Sequence, residues 1–198
     1  MIKVKYKDTF LYNIAKPLLS VFIKLYRPEV VGVENIPSKG RVLLAGNHTK
    51  KLDSIMLIGV QKRKIHFLAK EELFHGKTKW IMKGMGCVPV NRKIHDKEAL
   101  HSAIEYLKND LCVVIFPEGT INRTEDVIMP FKIGAVKACK EANCQLVPFI
   151  ITGKYKLFRK SIKVEFLKPM TIEDDLDKAN QKFMKIVEKK LIEGGKGK

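Results

Sequence analysis

Two residues five positions apart, His48 and Asp53, have the types and spacing to carry out acid–base chemistry. They follow an apolar run, residues 42–45, which predicts a β-strand ending at the Gly46-Asn47 turn. Open α/β sheets bind ligands at the carboxyl ends of their strands, where His48 would lie. An imidazole held by a carboxylate keeps one tautomer and can remove a proton from a hydroxyl near neutral pH. The alternative is a surface histidine and a helix-starting aspartate that never meet, since residues five apart on a regular helix point away from each other.

A second polar cluster follows another predicted strand. Pro117 stops the apolar run 112–116, and Glu118, Gly119, Thr120 and Arg123 come next. Backbone amides near a glycine, together with an arginine, suit a phosphate group. A carboxylate does not bind phosphate directly, so we expect Glu118 to accept from a substrate hydroxyl or to hold a basic neighbour. The alternative is a polar turn that only closes a core strand.

Two further stretches have weaker signals. The run 84–92 places Arg92 after a short apolar strand, and arginine can bind phosphate through two parallel hydrogen bonds. A lone arginine at such a position can equally be only solvated. Residues 145–151 are almost wholly apolar, which suits either the lining of an acyl-chain pocket or the core.

Length and charge restrict the partners. The 198 residues fit one domain with a substantial core, and no linker or internal repeat divides them. Thirty-eight Lys and Arg against 21 Asp and Glu give a net charge of +17, which predicts affinity for something anionic. A membrane surface, a phosphorylated small molecule and nucleic acid are the three candidates. Nucleic acid is the weakest, because the sequence has no zinc-finger or RNA-binding signature.

The cysteines and histidines predict neither a disulfide framework nor a metal site. The four cysteines form no CxxC pair and are typical of reduced core residues in a cytosolic protein, with a Cys139–Cys144 disulfide as the alternative. The histidines other than His48 lack metal-ligand spacing. We therefore expect no metal and no cofactor.

The N-terminal segment, residues 1–27, is both basic and apolar. Its apolar run is far shorter than the roughly twenty residues of a spanning helix, and it lacks the small-residue cleavage site of a secretory signal. The composition predicts an amphipathic helix, broken near Pro17, that lies in the headgroup region of an anionic membrane. Packing of the same helix on the domain's own core is the alternative.

From residue 28 onward, strand-like and helix-like patterns alternate, which predicts an α/β single domain with a mixed, mostly parallel sheet flanked by helices. The last predicted helix has Thr171 as its N-cap. The predicted strands are 30–33, 42–45, 65–69, 87–90, 112–116, 146–151 and 162–166, and the predicted helices are 52–61, 71–84, 96–108, 131–142 and 171–192.

Four of these stretches, in this order, resemble the sequence blocks of one family. The NHxxxxD pattern at 47–53, the run 86–92, FPEGT at 116–120 and VPF at 147–149 resemble those of the glycerolipid acyltransferases, specifically the lysophosphatidic acid acyltransferase branch. The resemblance covers about residues 28–155. It implies transfer of a fatty acyl group from acyl carrier protein or coenzyme A to the sn-2 hydroxyl of lysophosphatidic acid, giving phosphatidic acid. The chain is then expected to comprise a membrane-docking segment, 1–27, and an acyltransferase domain, 28–198, at the cytoplasmic face of the cell membrane.

The resemblance also implies roles for individual residues. His48 would be the general base and Asp53 would orient its imidazole, while Arg92, Glu118 and Gly119 match positions that bind the glycerol phosphate. The sequence contains no GxSxG elbow, which favours direct attack on the thioester over an acyl-serine intermediate.

One position departs from the family pattern. Ile121 stands where an arginine usually follows FPEGT, so Arg123, Lys70 or Lys132 would have to supply the missing cation. Two alternatives stay open: the same chemistry on glycerol-3-phosphate or another lyso-lipid, and a non-catalytic membrane-surface binding protein with this fold.

Overall fold

The computed structural model describes residues 10–90 and 97–196. Among these residues, seven strands form one sheet in the order β1-β7-β6-β2-β5-β3-β4. The strands are β1 (Glu29–Val31), β2 (Val42–Gly46), β3 (Ile65–Lys70), β4 (Val88–Val90), β5 (Cys112–Ile115), β6 (Gln145–Gly153) and β7 (Ile162–Phe166).

Helices cover both faces of the sheet. Helices α1 and α2 pack with one core cluster, which includes Met56 and Phe149, and α4, α5 and α6 pack with the other, which includes Leu107 and Phe183. The predicted α/β fold with flanking helices is confirmed. The helices are α1 (Phe10–Lys24), α2 (Asp53–Val60), α3 (Lys79–Gly84), α4 (Lys97–Lys108), α5 (Gly134–Ala142) and α6 (Leu176–Leu191).

The sheet is mostly parallel because its central strands are apolar on both faces and joined by helices. Every residue of β2 is buried, as are seven of the nine residues of β6. Strand β2 pairs in parallel with both β5 and β6, and β3 pairs in parallel with β5 and β4. Only the pairing of β6 with β7 is antiparallel among the described strands. The carboxyl ends of β2, β3, β4, β5 and β6 therefore meet at one edge of the sheet.

The predicted break of the first helix at Pro17 is wrong: α1 runs through this residue. The helix is held on both sides of the proline. Before it, the Tyr12 hydroxyl accepts from Ile65 N at 3.1 Å. After it, Ile23 is buried against α2. Tertiary packing of both halves outweighs the helix hydrogen bond that proline removes.

The first helix has two different faces. Tyr12 and Ile23 are almost fully buried, whereas Phe10, Leu18 and Val21 are more than 60% exposed. Packing on the core is thus shown for one face only. None of the helices in the described residues has the length and apolar character needed to cross a bilayer.

Three other elements differ from the predictions. The single helix predicted over 71–84 is two short 3-10 turns followed by α3, because Gly76, the first residue of the second turn, adopts a left-handed φ of 67°. Val33 begins a 3-10 turn instead of ending β1. The last helix starts at Leu176, and its N-cap is Asp175, whose carboxylate accepts from Lys178 N at 3.0 Å. The predicted cap, Thr171, lies before this helix.

The alternative of a Cys139–Cys144 disulfide is wrong. All four cysteines are free thiols, and the Cys139 thiol donates to the Cys144 carbonyl at 2.9 Å. Burial raises the pKa of the Cys87 thiol to about 11, so this group is protonated at neutral pH and is a poor nucleophile.

Candidate active site

The end of β2 is tied firmly to its neighbour β6. The buried Asn47 side chain donates to the Ile151 carbonyl and accepts from the Ile151 amide, both at 2.8 Å. It thereby continues the strand pairing by one residue beyond Gly46. A Cβ on Gly46 would lie 2.0 Å from the Phe149 carbonyl oxygen, so only glycine fits this close approach of the two strands. His48 therefore leaves the sheet at a defined point.

His48 and Asp53 contact each other, as one of the two sequence interpretations predicted. His48 Nδ1 lies 2.9 Å from Asp53 Oδ2. The segment 49–52 turns back before α2 begins at Asp53, which brings together two side chains that a continuous helix would separate. With Nδ1–H donating to the carboxylate, the neutral imidazole presents a lone pair at Nε2. No described residue hydrogen-bonds to Nε2, and the side chain is 14% exposed.

Asp53 is completely buried and its oxygens are saturated with donors. Oδ2 accepts from the amides of Thr49 and Lys50 as well as from His48. Oδ1 accepts from the Thr49 hydroxyl at 3.0 Å and from the Tyr155 hydroxyl at 2.6 Å. Five hydrogen bonds hold this carboxylate in one orientation.

The loop that carries FPEGT fixes the backbone of His48. The His48 amide donates to Glu118 Oε1 at 2.9 Å, and the His48 carbonyl accepts from Asn122 N at the same distance. The other Glu118 oxygen accepts from Met129 N at 3.0 Å. The Phe116 ring stacks on the imidazole, with centroids 3.9 Å apart and an interplanar angle of 17°. His48 is thus held by hydrogen bonds to its backbone, by the Asp53 carboxylate at ring atom Nδ1 and by the Phe116 ring stacked on its imidazole.

The Glu118 carboxylate lies directly against the backbone of His48. The Glu118 side chain is only 3% exposed, and both oxygens bind backbone amides, so the geometry gives it a positioning role beside His48. Gly119 adopts a φ of 74° and donates its own amide to the Phe116 carbonyl at 2.9 Å. A Cβ here would lie 2.9 Å from Lys132 Nζ, so the lysine side chain passes directly over the glycine.

The remaining predicted phosphate ligands lie around the same edge. Lys70 ends β3, and Thr120, Arg123 and Lys132 follow the end of β5; all four are exposed. None of the three cations among them forms an ion pair with another described residue, so their charges are accessible to a ligand. The exposed Thr120 hydroxyl is accessible as well. Arg92 lies outside the described residues.

Residues 145–151 form most of β6, and the open choice between pocket and core is settled for several of them. Leu146, Val147 and Phe149 are completely buried in the two core clusters.

Sequence reasoning missed Tyr155, which binds Asp53 across 102 positions of the chain. Burial and the adjacent carboxylate raise the pKa of its phenol, so it stays protonated and donates. A signal was available: Tyr155 follows the carboxyl end of β6 by two residues, as His48 follows β2, and Glu118 follows β5 by three residues. Polar residues after every parallel strand share one edge.

Comparison with known proteins matches residues 27–152 to the family described as acyltransferase. The chain belongs to the acyltransferase family. It is therefore an acyltransferase enzyme, and the family resemblance of its sequence blocks is confirmed. The His48–Asp53 contact is present in the structure, and membership of this family argues against the alternative of a non-catalytic protein.

Curated relatives carry the name 1-acyl-sn-glycerol-3-phosphate acyltransferase. The protein from Bacillus subtilis (strain 168) is 34% identical over 160 residues, which cover 76% of this chain and 75% of the relative. The protein from Borreliella burgdorferi is 32% identical over 136 residues, which cover 67% of this chain and 54% of the relative. The chain thus spans three quarters of one relative and about half of the other.

A solved structure shares the fold. The crystal structure of the 1-acyl-sn-glycerophosphate (LPA) acyltransferase from Thermotoga maritima superposes with a TM-score of 0.71 over 92% of this chain and 82% of that chain, at 22% identity.

Proposed function

We propose that the enzyme transfers a fatty acyl group from a thioester of acyl carrier protein or coenzyme A to the sn-2 hydroxyl of lysophosphatidic acid, giving phosphatidic acid. The observation that carries this proposal is the buried Asp53 carboxylate on His48 Nδ1, which leaves Nε2 as a base at the edge of the sheet. The relatives named above are described as acting on 1-acyl-sn-glycerol-3-phosphate, which supports the same acceptor here.

The reaction needs one base and no covalent enzyme intermediate. Nε2 of His48 removes the proton of the acceptor hydroxyl while the oxygen of that hydroxyl attacks the thioester carbonyl carbon. The new C–O bond forms and the C–S bond breaks, and Nε2 then gives the proton to the departing thiolate, so that a free thiol leaves and the neutral histidine is regenerated. Asp53 stabilises the imidazolium that exists between these two proton transfers.

The cationic edge would hold the acceptor's phosphate. Lys70, Arg123 and Lys132 are exposed around the same edge as His48, and a phosphate dianion gains from several such charges at once. Arg92 belongs to this proposed set on the basis of the family pattern alone. Because Ile121 replaces the family's usual arginine, Lys132 over Gly119 is the residue we expect to compensate for it.

We also propose that the enzyme works at the cytoplasmic face of the membrane, with residues 1–27 as its docking segment and 28–198 as its catalytic domain. The exposed apolar face of α1 supports this arrangement, because a patch of this kind on a soluble surface marks an interaction site.

The test uses wild-type enzyme, anionic vesicles and a panel of acceptors. Lysophosphatidic acid, glycerol-3-phosphate and lysophosphatidylcholine are each offered with a palmitoyl thioester of either carrier, and the products are quantified by mass spectrometry. We expect phosphatidic acid as the main product. Preferred acylation of either of the other two acceptors would keep the chemistry and overturn the proposed acceptor, and comparison of the two thioesters identifies the donor.

A further inference from the structure

The loop between β6 and β7, residues 154–161, exposes two large apolar side chains at its tip. Leu157 is 49% exposed and Phe158 is 66% exposed. Phe158 adopts a φ of 60°, a backbone conformation that glycine and asparagine adopt far more readily than a bulky residue. An exposed phenylalanine with a left-handed backbone conformation is unfavourable on both counts, which indicates a functional role for Phe158.

The same loop is strongly cationic. Lys154, Lys156, Arg159 and Lys160 flank the two apolar residues, and all four are exposed. The loop contains no acidic residue, and none of the four cations forms an ion pair within the described part of the chain. Apolar side chains surrounded by unpaired cations are complementary to a leaflet with anionic headgroups above acyl chains.

The loop tip continues the exposed apolar face of α1. The Phe158 amide donates to the Leu25 carbonyl at 2.6 Å, so the tip lies directly beyond the carboxyl end of that helix. The exposed apolar residues of α1 and its end recur every three or four positions and so share one side: Phe10, Ile14, Leu18, Val21, Phe22 and Leu25.

We propose that loop 154–161 is a second bilayer-binding element, in which Leu157 and Phe158 insert among the acyl chains of an anionic leaflet while the four cations bind its headgroups. This inference rests on the proposed membrane-associated function and adds a contact that the N-terminal segment does not supply.

The placement of this loop has a consequence for the site. Tyr155, three residues before Phe158, donates to Asp53 and packs edge-on against Tyr26 with centroids 5.8 Å apart. A loop that binds the bilayer at its tip therefore brings the carboxylate of the catalytic pair close to the leaflet. An acceptor lipid could then reach His48 with its acyl chain still in the membrane.

A fluorescence measurement tests insertion directly. Trp80 is the single tryptophan of the chain, so the double variant Trp80→Phe/Phe158→Trp places the only indole at the loop tip. The matched control, Trp80→Phe/His101→Trp, places it on α4 at the opposite face of the sheet. With phosphatidylglycerol vesicles that carry brominated acyl chains, we expect quenching and a blue shift for the first variant and neither for the control. Binding of the first variant without quenching would overturn the proposal.

Vesicle affinity provides the second test. Leu157→Ser/Phe158→Asn removes both apolar groups, and asparagine tolerates the left-handed backbone at residue 158. We expect about tenfold or greater loss of affinity for phosphatidylglycerol vesicles in sedimentation, given the apolar surface withdrawn from the bilayer.

The matched variant in α1, Leu18→Ser/Val21→Ser, separates the two contacts. Wild-type affinity of the loop variant, with a loss only in the α1 variant, would refute the loop contact and leave docking through α1 intact. Sedimentation needs no turnover, so a wild-type protein without acyl transfer would count against the proposed reaction alone.

Discussion

Replacing Asp53 by asparagine separates the charge of this residue from its hydrogen bonds. Three N–H groups converge on Oδ2, while two hydroxyls, from Thr49 and Tyr155, meet Oδ1. Hydroxyls can reverse and accept, whereas amides and a protonated Nδ1 cannot. The asparagine oxygen should therefore take the place of Oδ2 and its NH2 group that of Oδ1. In this orientation Asp53→Asn keeps five hydrogen bonds and the local fold.

The loss in activity follows from the missing charge. The carboxylate that contacts Nδ1 at 2.9 Å attracts the imidazolium formed during transfer. For a charge separation of about 4 Å and an effective dielectric constant of about 20, this attraction is about 4 kcal/mol. Its loss corresponds to a decrease in kcat of about a thousandfold. The free energy of unfolding should fall by only about 1–2 kcal/mol, because hydrogen bonds to a charged acceptor become bonds to a neutral one.

The assay combines kcat for acyl transfer at saturating thioester with urea unfolding of the same preparation. Asp53→Ala is the structural control: it leaves the buried donors without an acceptor and should lower the free energy of unfolding by about 3 kcal/mol or more. A kcat for Asp53→Asn within tenfold of wild type, in a stably folded protein, would refute the electrostatic role of the carboxylate.

Three further changes probe the support of the site and the core. Tyr155→Phe removes one donor to Asp53 and should lower the free energy of unfolding by about 1.5–3 kcal/mol and kcat by less than the asparagine variant does; equal losses of kcat would contradict a supporting role. Gly46→Ala forces a Cβ to 2.0 Å from the Phe149 carbonyl and should cost about 3 kcal/mol; an unchanged urea midpoint would contradict the close approach. Burial lowers the pKa of His66 in the folded protein. Below the unfolded-state pKa of about 6.5 the unfolded state therefore binds more protons, and the free energy of unfolding falls as the pH decreases. His66→Asn should flatten this decrease, and identical pH profiles for the variant and the wild type would refute the role of His66.

The features of the site that sequence reasoning predicted all depend on strand ends. Apolar runs stopped by Gly46 and Pro117 marked two strands whose carboxyl ends had to share an edge if the sheet was parallel. His48 and the segment around Glu118 were therefore correctly placed side by side. Spacing alone did not decide whether His48 and Asp53 touch, because their contact depends on the turn at 49–52.

What sequence reasoning missed depends on contacts between distant segments. Tyr155 meets Asp53 only after β6 has paired with β2; its position after a strand end indicates the shared edge but not this particular contact. Pro17 predicted a break because local propensity argues for one, but packing of α1 on the sheet and on α2 overrides it. The helix predicted over 71–84 failed for the opposite reason: a local signal, Gly76, was given too little weight against apolar periodicity.

The role of Glu118 shows a different limit. Its residue type and position suggested that it accepts from a substrate hydroxyl or holds a basic neighbour, and they gave no sign that its carboxylate binds the amides of His48 and Met129. A sequence shows which side chains are present, but not which backbone amides at the strand ends lack a hydrogen-bond acceptor within the sheet. Buried amides at such ends need acceptors, and a carboxylate can bind two of them.

The central claim is that His48 is the base for acyl transfer, and kcat of His48→Ala measures it most directly. The comparison uses lysophosphatidic acid with a palmitoyl thioester, with circular dichroism to verify folding and His101→Ala, an exposed histidine in α4, as the matched control. We predict that kcat of His48→Ala falls by about a thousandfold or more, at least as far as that of Asp53→Asn, while the control keeps wild-type activity. A folded His48→Ala enzyme with wild-type kcat would contradict the mechanism.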